Sequence, residues 1–154
     1  MVGSTKGIMT SLAEISKLLV GVKFKHCSTD RSQGYDCFTN IVMYLNMLGA
    51  DISFETIFKG VSFDYRKEYA LNPHKTMDLA HEYIASITTE IKKGFERAGD
   101  ILVLRTKRKE NTPLHLGIDA GNGSVIVAIR DRDIKVLTKK IFIIERAYRW
   151  VQKY

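Results

Sequence analysis

The chain has 154 residues, of which 45% are hydrophobic and 27% charged, and its formal net charge at pH 7 is +7. This composition excludes a disordered or low-complexity chain, and the length lets one domain bury a core without a disulfide or a metal. The apolar runs are too short to span a bilayer, and the first residues lack the apolar stretch of an export signal. We therefore expect a single domain over residues 1–154, with a flexible start over 1–7.

The basic excess lies in the last third of the sequence. Residues 1–104 hold 12 basic and 12 acidic residues, whereas residues 105–154 hold 12 basic and 5 acidic ones. Such a surface attracts nucleic acid, an anionic polymer or an acidic protein. Because no aromatic residues alternate with the charges of residues 105–109, we expect a solvated or partner-facing surface rather than one that binds nucleic acid.

Helices are predicted in the first two thirds of the chain. Apolar residues recur at three- and four-residue steps over 8–20, 36–48 and 74–97, and a glycine follows the second and third of these stretches. A shorter helix is expected over 51–60. The polar, turn-rich residues 21–34 predict a surface loop between the first two helices.

After residue 100 the sequence takes the pattern of β-strands. Short stretches rich in β-branched residues cover 101–105, 114–119, 124–130, 133–137 and 141–149. The residues Gly121-Asn122-Gly123 indicate a hairpin between the second and third stretches. Helices followed by consecutive antiparallel strands predict an α+β domain, with N-terminal helices packed on a C-terminal sheet of about five strands.

Cys37 is the candidate nucleophile because it lies in the first turn of the second predicted helix. Free backbone N–H groups and the helix dipole lower the pKa of a thiol at that position. A buried structural cysteine is the alternative, and the position alone does not decide between the two. A thiol nucleophile needs a histidine base. Of the four histidines, His115 is the best placed, because a predicted strand fixes its ring and Gly117 leaves space beside it. A histidine on a strand face without a chemical role is the alternative, and the strand taken alone favours it.

The other histidines and the second cysteine have no comparable setting. His26 lies in a polar loop beside Cys27, and His74 and His81 belong to the third predicted helix. The spacing of Cys27 and Cys37 matches no usual zinc site, so we expect no metal. The chain also lacks a phosphate-binding glycine loop. A domain of this size needs no disulfide, and we expect Cys27 and Cys37 to be unpaired.

Three motifs occur in the order in which they occur in NlpC-type cysteine peptidases, a papain-like family that the chain resembles. They are Gly34-Tyr35-Asp36-Cys37 at a helix start, Ala98-Gly99-Asp100-Ile101-Leu102-Val103-Leu104, and His115-Leu116-Gly117-Ile118-Asp119-Ala120-Gly121-Asn122-Gly123. The ending Glu145-Arg146-Ala147-Tyr148-Arg149 is similar to the final strand of the phage tail branch of that family.

The resemblance implies a papain-like α+β domain that hydrolyses peptide bonds in the stem of bacterial peptidoglycan. It implies that Cys37 is the nucleophile, that His115 acts first as a base and then as an acid, and that N–H groups at the helix start stabilise the oxyanion. It further implies a virion protein of a phage tail, made in the host cytoplasm and acting at the cell wall. Its partners would be the stem peptide and other tail proteins.

The chain departs from the family pattern at several places, and two of these departures bear on catalysis. Phe38-Thr39 stand where the family has serine or tryptophan and then glycine. A hairpin centred on Gly121 would place Val127 opposite His115, where the family carries a polar residue that orients the base. We therefore expect low activity that the substitution Val127→His raises. The alternative is a catalytically weakened structural subunit of the phage tail tip with the same fold.

Overall fold

The computed structural model describes residues 11–25, 32–53, 67, 70–107, 115–129 and 132–151. Helices α1 (Leu12–Leu19), α2 (Cys37–Met47) and α3 (Pro73–Ile87) precede strands β1 (Thr89–Ile91), β2 (Ile101–Thr106), β3 (His115–Gly121), β4 (Ser124–Ala128), β5 (Ile134–Thr138) and β6 (Phe142–Arg149). A short 3-10 helix, Lys139–Ile141, joins β5 to β6. This arrangement confirms the predicted α+β class. No helix in these ranges combines the length and apolarity needed to cross a membrane.

The described strands form one antiparallel sheet in the order β1-β6-β2-β3-β4-β5. It has six strands rather than about five, because Thr89–Ile91 pairs with the end of β6. The prediction of a helix over 74–97 is therefore wrong beyond Ile87. At Thr88 the backbone is already extended, and its hydroxyl donates a hydrogen bond to the carbonyl of Ile84. The β-branched pair Thr88-Thr89 favours the strand that follows.

Side chains of the sheet alternate between two apolar clusters, one on each face. Ile101, Val103, Leu116 and Ile118 pack with the helices, which contribute residues such as Phe38. The intervening positions form a second cluster that contains Leu102, Leu104, Val125, Val127 and Phe142. Because successive strand residues point to opposite faces, strands buried on both faces are apolar at nearly every position.

Two buried carboxylates hold the strand ends together. Asp100 accepts hydrogen bonds from Arg149 at 2.8 Å from Nε and 2.9 Å from Nη2, which joins the start of β2 to the end of β6. Asp119 accepts from Lys139 Nζ at 2.6 Å and from the Gly121 N–H at 2.8 Å. Both aspartates are almost completely buried, so these ion pairs supply the partners that buried charges require.

The hairpin between β3 and β4 turns at Asn122 and Gly123, which have positive φ angles of 54° and 76°. A two-residue turn of this kind matches the twist of the flanking strands. The backbone irregularity between Asp119 and Gly121 then sets a register in which Gly117 pairs with Val127. The prediction that Val127 lies opposite His115 is therefore wrong, because the turn is centred between Asn122 and Gly123 rather than on Gly121.

Several expectations concern residues outside the described ranges. These are the flexible start over 1–7, residues 54–60 of the short helix predicted over 51–60, and the pair His26 and Cys27. The described part of the loop predicted over 21–34 contains bridges between Lys23 and Asp133 and between Phe24 and Tyr35. The first bridge connects the segment before α2 to the residue that precedes β5, and the second joins two parts of that segment to each other.

Candidate active site

The start of α2 is fixed by a capping box between Asp36 and Thr39. The Thr39 N–H donates to Asp36 Oδ1 at 2.7 Å, and the Asp36 N–H donates to Thr39 Oγ1 at 2.7 Å. Thr39 and Phe38 are both fully buried. The two residues that depart from the family pattern therefore have structural roles, since Thr39 completes the cap and Phe38 packs in the core. The cap places Cys37 at the first position of the helix.

Cys37 lies against the start of β3. Its thiol is hydrogen-bonded by the backbone of Leu116, and the backbone groups of Cys37 and Phe38 also contribute. Leu116 directly follows His115, the first residue of β3. The structure thus brings the nucleophile candidate to the backbone of the strand start that carries the base candidate, whereas the pairing with Leu104 places the His115 side chain on the other face of the sheet. The interaction of the sulfur with the imidazole itself stays a prediction. Cys37 is a free thiol that retains partial exposure.

The pKa of the Cys37 thiol is raised from 9.0 to about 12. Burial of the sulfur is the largest cause, and the neighbouring Asp36 carboxylate raises the pKa further. Hydrogen bonds from the backbone at the helix start lower it but do not compensate. The prediction of a lowered thiol pKa is therefore wrong. Enclosure and the adjacent carboxylate outweigh the helix terminus, and the resting nucleophile is a neutral thiol.

We expect Cys37 to react slowly with iodoacetamide at neutral pH, because only the thiolate attacks. In a Cys27→Ala background, the alkylation rate should still be rising at pH 10, whereas the same protein in urea should titrate near an ordinary thiol pKa. Mass spectrometry of time points between pH 6 and 10 measures both rates. A rate for the folded protein that is constant from pH 6 upward would show a preformed thiolate and contradict this result.

His115 is a half-buried residue of β3 that pairs with Leu104 on the neighbouring strand β2. Burial lowers the pKa of its imidazole below the ordinary value of 6.5. The ring is therefore neutral at pH 7 and able to accept a proton. The free space predicted beside it at Gly117 is filled, since a Cβ there would lie 2.7 Å from Val125 Cγ2 and 3.0 Å from Leu104 Cδ1.

The surroundings of His115 on its face of the sheet are apolar. Alternation along the strands places Leu104, Gly117 and Val127 on this face. Val127 is a diagonal neighbour of His115. The Cα atoms of such neighbours are roughly 7 to 8 Å apart. Asp119 shares the face, but its carboxylate is bonded to Lys139 and to the N–H of Gly121. These described residues offer no free acceptor to orient the imidazole.

The remaining candidates lie elsewhere. His74 is exposed at the start of α3, and His81 is half-buried on the same helix. Among the described residues, no three His, Cys, Asp or Glu side chains are grouped so that they could hold a metal ion.

Asn40 is a polar residue near the site that the sequence analysis missed. It is fully buried one turn after Cys37, and among the described residues neither its Oδ1 nor its Nδ2 has a hydrogen-bond partner. The sequence could have indicated it, because Asn40 is a polar residue on the side of the predicted helix that is otherwise apolar. A buried amide without a partner destabilises a fold by about 1–3 kcal/mol.

We expect Asn40→Leu to raise the free energy of unfolding by about 1 kcal/mol or more, because leucine has a similar shape and needs no hydrogen bond. Urea unfolding measures the change. Asn46→Leu is the matched control on the same helix, since the Asn46 side chain bonds the backbone of Ile52 through both its oxygen and its nitrogen. That variant should be less stable than wild type. Destabilisation by Asn40→Leu would show that its amide has a partner in solution.

Acid should destabilise the fold through two histidines. Burial holds the pKa of His81 and of His115 below 6.5, and Asp78 only partly offsets this at His81. As the pH falls through 6.5 the unfolded chain binds protons before the folded chain does, so the free energy of unfolding decreases. The stability that these two histidines contribute is fully present above about pH 7 and is lost as the pH falls below that value.

The measurement is urea unfolding at pH 7.5 and pH 5. The double variant with His81→Gln and His115→Gln should lose less stability between the two values than wild type, and His74→Gln at an exposed position should behave as wild type does. An equal loss in the double variant and in wild type would exclude these two histidines as the cause.

Comparison with known proteins bears on the fold. The NlpC/p60 domain of the peptidoglycan hydrolase SagA superposes with a TM-score of 0.55 at 23% sequence identity, over 89% of this chain and 93% of that chain. A lipoprotein-like protein of the NLP/P60 family from Staphylococcus aureus subsp. aureus Mu50 superposes with a TM-score of 0.55 at 15% sequence identity, over 92% of this chain and 40% of that chain. No protein-family model matches the chain, and no curated protein matches its sequence. The chain therefore has the NlpC/p60 fold.

Proposed function

We propose that the chain is an NlpC-like cysteine hydrolase that cleaves peptide bonds in bacterial peptidoglycan. The observation that carries the proposal is the position of Cys37 at the capped start of α2, hydrogen-bonded to the backbone beside His115. A cysteine and a histidine on these two elements form the pair that thiol hydrolases use. The solved structures that share the fold include a peptidoglycan hydrolase domain, which supports the substrate class.

The raised thiol pKa and the lowered imidazole pKa favour a neutral resting pair. In the first step Cys37 Sγ attacks the carbonyl carbon of the peptide bond while its proton passes to the His115 imidazole. The C–N bond then breaks, and the imidazolium returns this proton to the leaving amine. Water, activated by the neutral imidazole, hydrolyses the thioester and regenerates the thiol.

The backbone at the start of α2 is suited to stabilise the oxyanion. The N–H groups of Cys37 and Phe38 belong to the first helical turn and contribute hydrogen bonds to the Cys37 thiol, so they lie beside the atom that would attack the carbonyl. The helix dipole adds a favourable field for negative charge. No metal or organic cofactor takes part in this chemistry.

We place this activity in a phage tail, with the enzyme carried to the cell wall by the virion. The likeness of Glu145–Arg149 to the final strand of the phage tail branch supports this placement, and these residues end β6. Exposed lysines of the basic last third, such as Lys107, Lys135 and Lys140, suit an anionic wall polymer or an acidic tail protein. Antibody labelling of purified virions tests the placement, and absence of the chain from intact particles would contradict it.

A structural tail-tip subunit without efficient catalysis is the second candidate. The apolar surroundings of His115 and the high pKa of the Cys37 thiol favour it. It predicts a folded protein that binds its partners but turns over no substrate.

Digestion of purified muropeptides, followed by liquid chromatography and mass spectrometry, tests the proposal. Wild type and the control Cys27→Ala should release stem-peptide fragments, whereas Cys37→Ala should release none. Equal cleavage by Cys37→Ala would exclude Cys37 as the nucleophile. If wild type is inert although correctly folded, the structural subunit becomes the better description.

A further inference from the structure

The segment between β1 and β2 holds an aromatic side chain in solvent. Phe95 is 68% exposed, although phenylalanine is among the residue types most often buried. Two exposed lysines, Lys92 and Lys93, precede it, and the exposed Arg97 follows it. No salt bridge in the described part of the chain involves these three cations. Residues 92–97, here called the β1–β2 loop, therefore combine an exposed ring with uncompensated positive charge.

Hydrogen bonds fix the backbone of the β1–β2 loop. The Phe95 N–H donates to the carbonyl of Lys92 at 3.0 Å, which closes a β-turn with Gly94 at its third position. Gly94 has a φ of 95°, as a type II turn requires at that position. The carbonyl of Phe95 accepts a hydrogen bond from Arg149 Nη2 at 3.4 Å. Because the backbone is already ordered, the loop loses little conformational entropy when it meets a partner.

The carboxylates closest to the loop in sequence already have partners. Glu96 Oε2 accepts a hydrogen bond from a backbone N–H of the loop at 3.0 Å. Asp100, which follows the loop, is paired with Arg149 at 2.8 Å. Glu90 on β1 interacts electrostatically with Arg146. The positive charge of the loop is therefore free to attract an anionic partner.

The β3–β4 hairpin lies beside the loop and adds to this charge. A Cβ atom at Gly121 would lie 3.4 Å from the Cβ atom of Ala98, which follows Arg97. The same hairpin accepts a hydrogen bond at the carbonyl of Gly123 from the Lys139 N–H at 2.9 Å, and the next residue, Lys140, is exposed. One end of the sheet thus presents the exposed ring together with cations from two parts of the sequence.

A protein partner or a nucleic acid fits these features poorly. A single ring is too small for the core of a stable protein interface, which needs roughly 1,000 Å² of buried surface. Two copies of the chain would bring like charges together at this end. Single-stranded nucleic acid is bound by several aromatic rings along a groove, and the β1–β2 loop has one aromatic residue.

An anionic lipid surface fits the loop without a pocket on either side. The headgroup region of a bilayer accepts a lone aromatic ring, and each lysine or arginine near anionic lipids strengthens binding about fivefold. We propose that the β1–β2 loop attaches the domain to the surface of an anionic bilayer. The Phe95 ring enters the headgroup region, and the three cations of the loop bind lipid phosphates.

Co-sedimentation with lipid vesicles tests the proposal. Vesicles of phosphatidylglycerol and phosphatidylcholine in equal parts should bind wild type and Cys37→Ala equally well. Vesicles of phosphatidylcholine alone should bind both proteins at least about tenfold more weakly. Phe95→Ser should weaken binding to the anionic vesicles about tenfold. Lys92→Gln combined with Lys93→Gln should weaken it by about tenfold or more.

The matched controls remove similar side chains elsewhere on the surface. Leu71→Ser removes an apolar side chain that is 71% exposed between uncharged neighbours. Lys17→Gln combined with Lys75→Gln removes two exposed lysines from α1 and α3. Both controls should bind the anionic vesicles within about twofold of wild type, since these charges lie outside the loop and are screened by salt.

Equal binding to both kinds of vesicle, or full binding by Phe95→Ser, would overturn the proposal. An equal loss of binding in the lysine control would do the same, because it would show general attraction to the basic chain. Binding of oligothymidylate that depends on Phe95, without binding of vesicles, would make nucleic acid the partner instead. The melting temperatures of all these variants should agree within a few degrees, since every substituted side chain of the loop and of the controls is exposed.

Discussion

Replacing His115 with alanine is expected to lower the turnover of a stem-peptide substrate by at least about 10³-fold, because a neutral thiol cannot attack without a group that takes its proton. Since the pKa of the Cys37 thiol is about 12, almost no thiolate exists at neutral pH to substitute for the missing base. The effect should fall on kcat rather than on KM. Initial rates over a range of muropeptide concentrations measure both.

His74→Ala is the matched control, because His74 is exposed at the start of α3. Its turnover should equal that of wild type. The pH dependence gives a second readout: wild-type turnover should fall on the acid side with an apparent pKa below 6.5, in accord with the lowered pKa of His115. Full turnover in a folded His115→Ala variant would remove this histidine from the mechanism.

Val127→His is expected to raise turnover by about a hundredfold, because related triads lose up to 10⁴-fold without the group that orients the base. Val127 pairs with Gly117, so a histidine side chain at 127 extends diagonally toward His115 over Gly117, where Val125 and Leu104 must shift to admit it. Diagonal neighbours on one sheet face are within reach of aromatic side chains. The new imidazole would accept a hydrogen bond from the ring of His115.

This gain should come with a loss of stability of about 1–3 kcal/mol, since position 127 is fully buried in an apolar cluster. Val125→His is the matched control. Val125 is equally buried on the same face but pairs with Asp119, farther from His115. It should lose similar stability and gain no turnover. A Val127→His variant that is stable but no faster than wild type would show that this position does not orient the base.

The helix that carries Cys37, the candidate nucleophile, was predictable because its signals are local. Asp36 and Thr39 supply the cap, and Gly49 follows the end with a φ of 108°. Short stretches rich in β-branched residues, separated by turn residues, likewise predicted β2 through β6. The strand Thr89–Ile91 was not predictable, since a segment of three residues carries no period, and only its pairing with β6 makes it a strand.

The geometry of the site depends on features that a sequence does not encode locally. The register of the hairpin follows from an irregularity at one position. Because of it, Val127 pairs with Gly117 and not, as predicted, with His115. The pKa of Cys37 depends on how much of the domain encloses the sulfur, and that enclosure outweighs the helix terminus that the sequence reveals. Residue identity therefore indicated which groups could react, and tertiary packing determined their protonation.

Trapping of the acyl intermediate tests the central claim most directly. Wild type mixed with a muropeptide should be quenched in acid within its first turnovers, which preserves a thioester, and then digested with pepsin for mass spectrometry. We predict that the peptide containing Cys37 gains the mass of the acyl fragment, and that Cys37→Ala yields neither this adduct nor product. Cleavage of the muropeptide with Cys37 unmodified at every time point, and continued cleavage by Cys37→Ala, would contradict it.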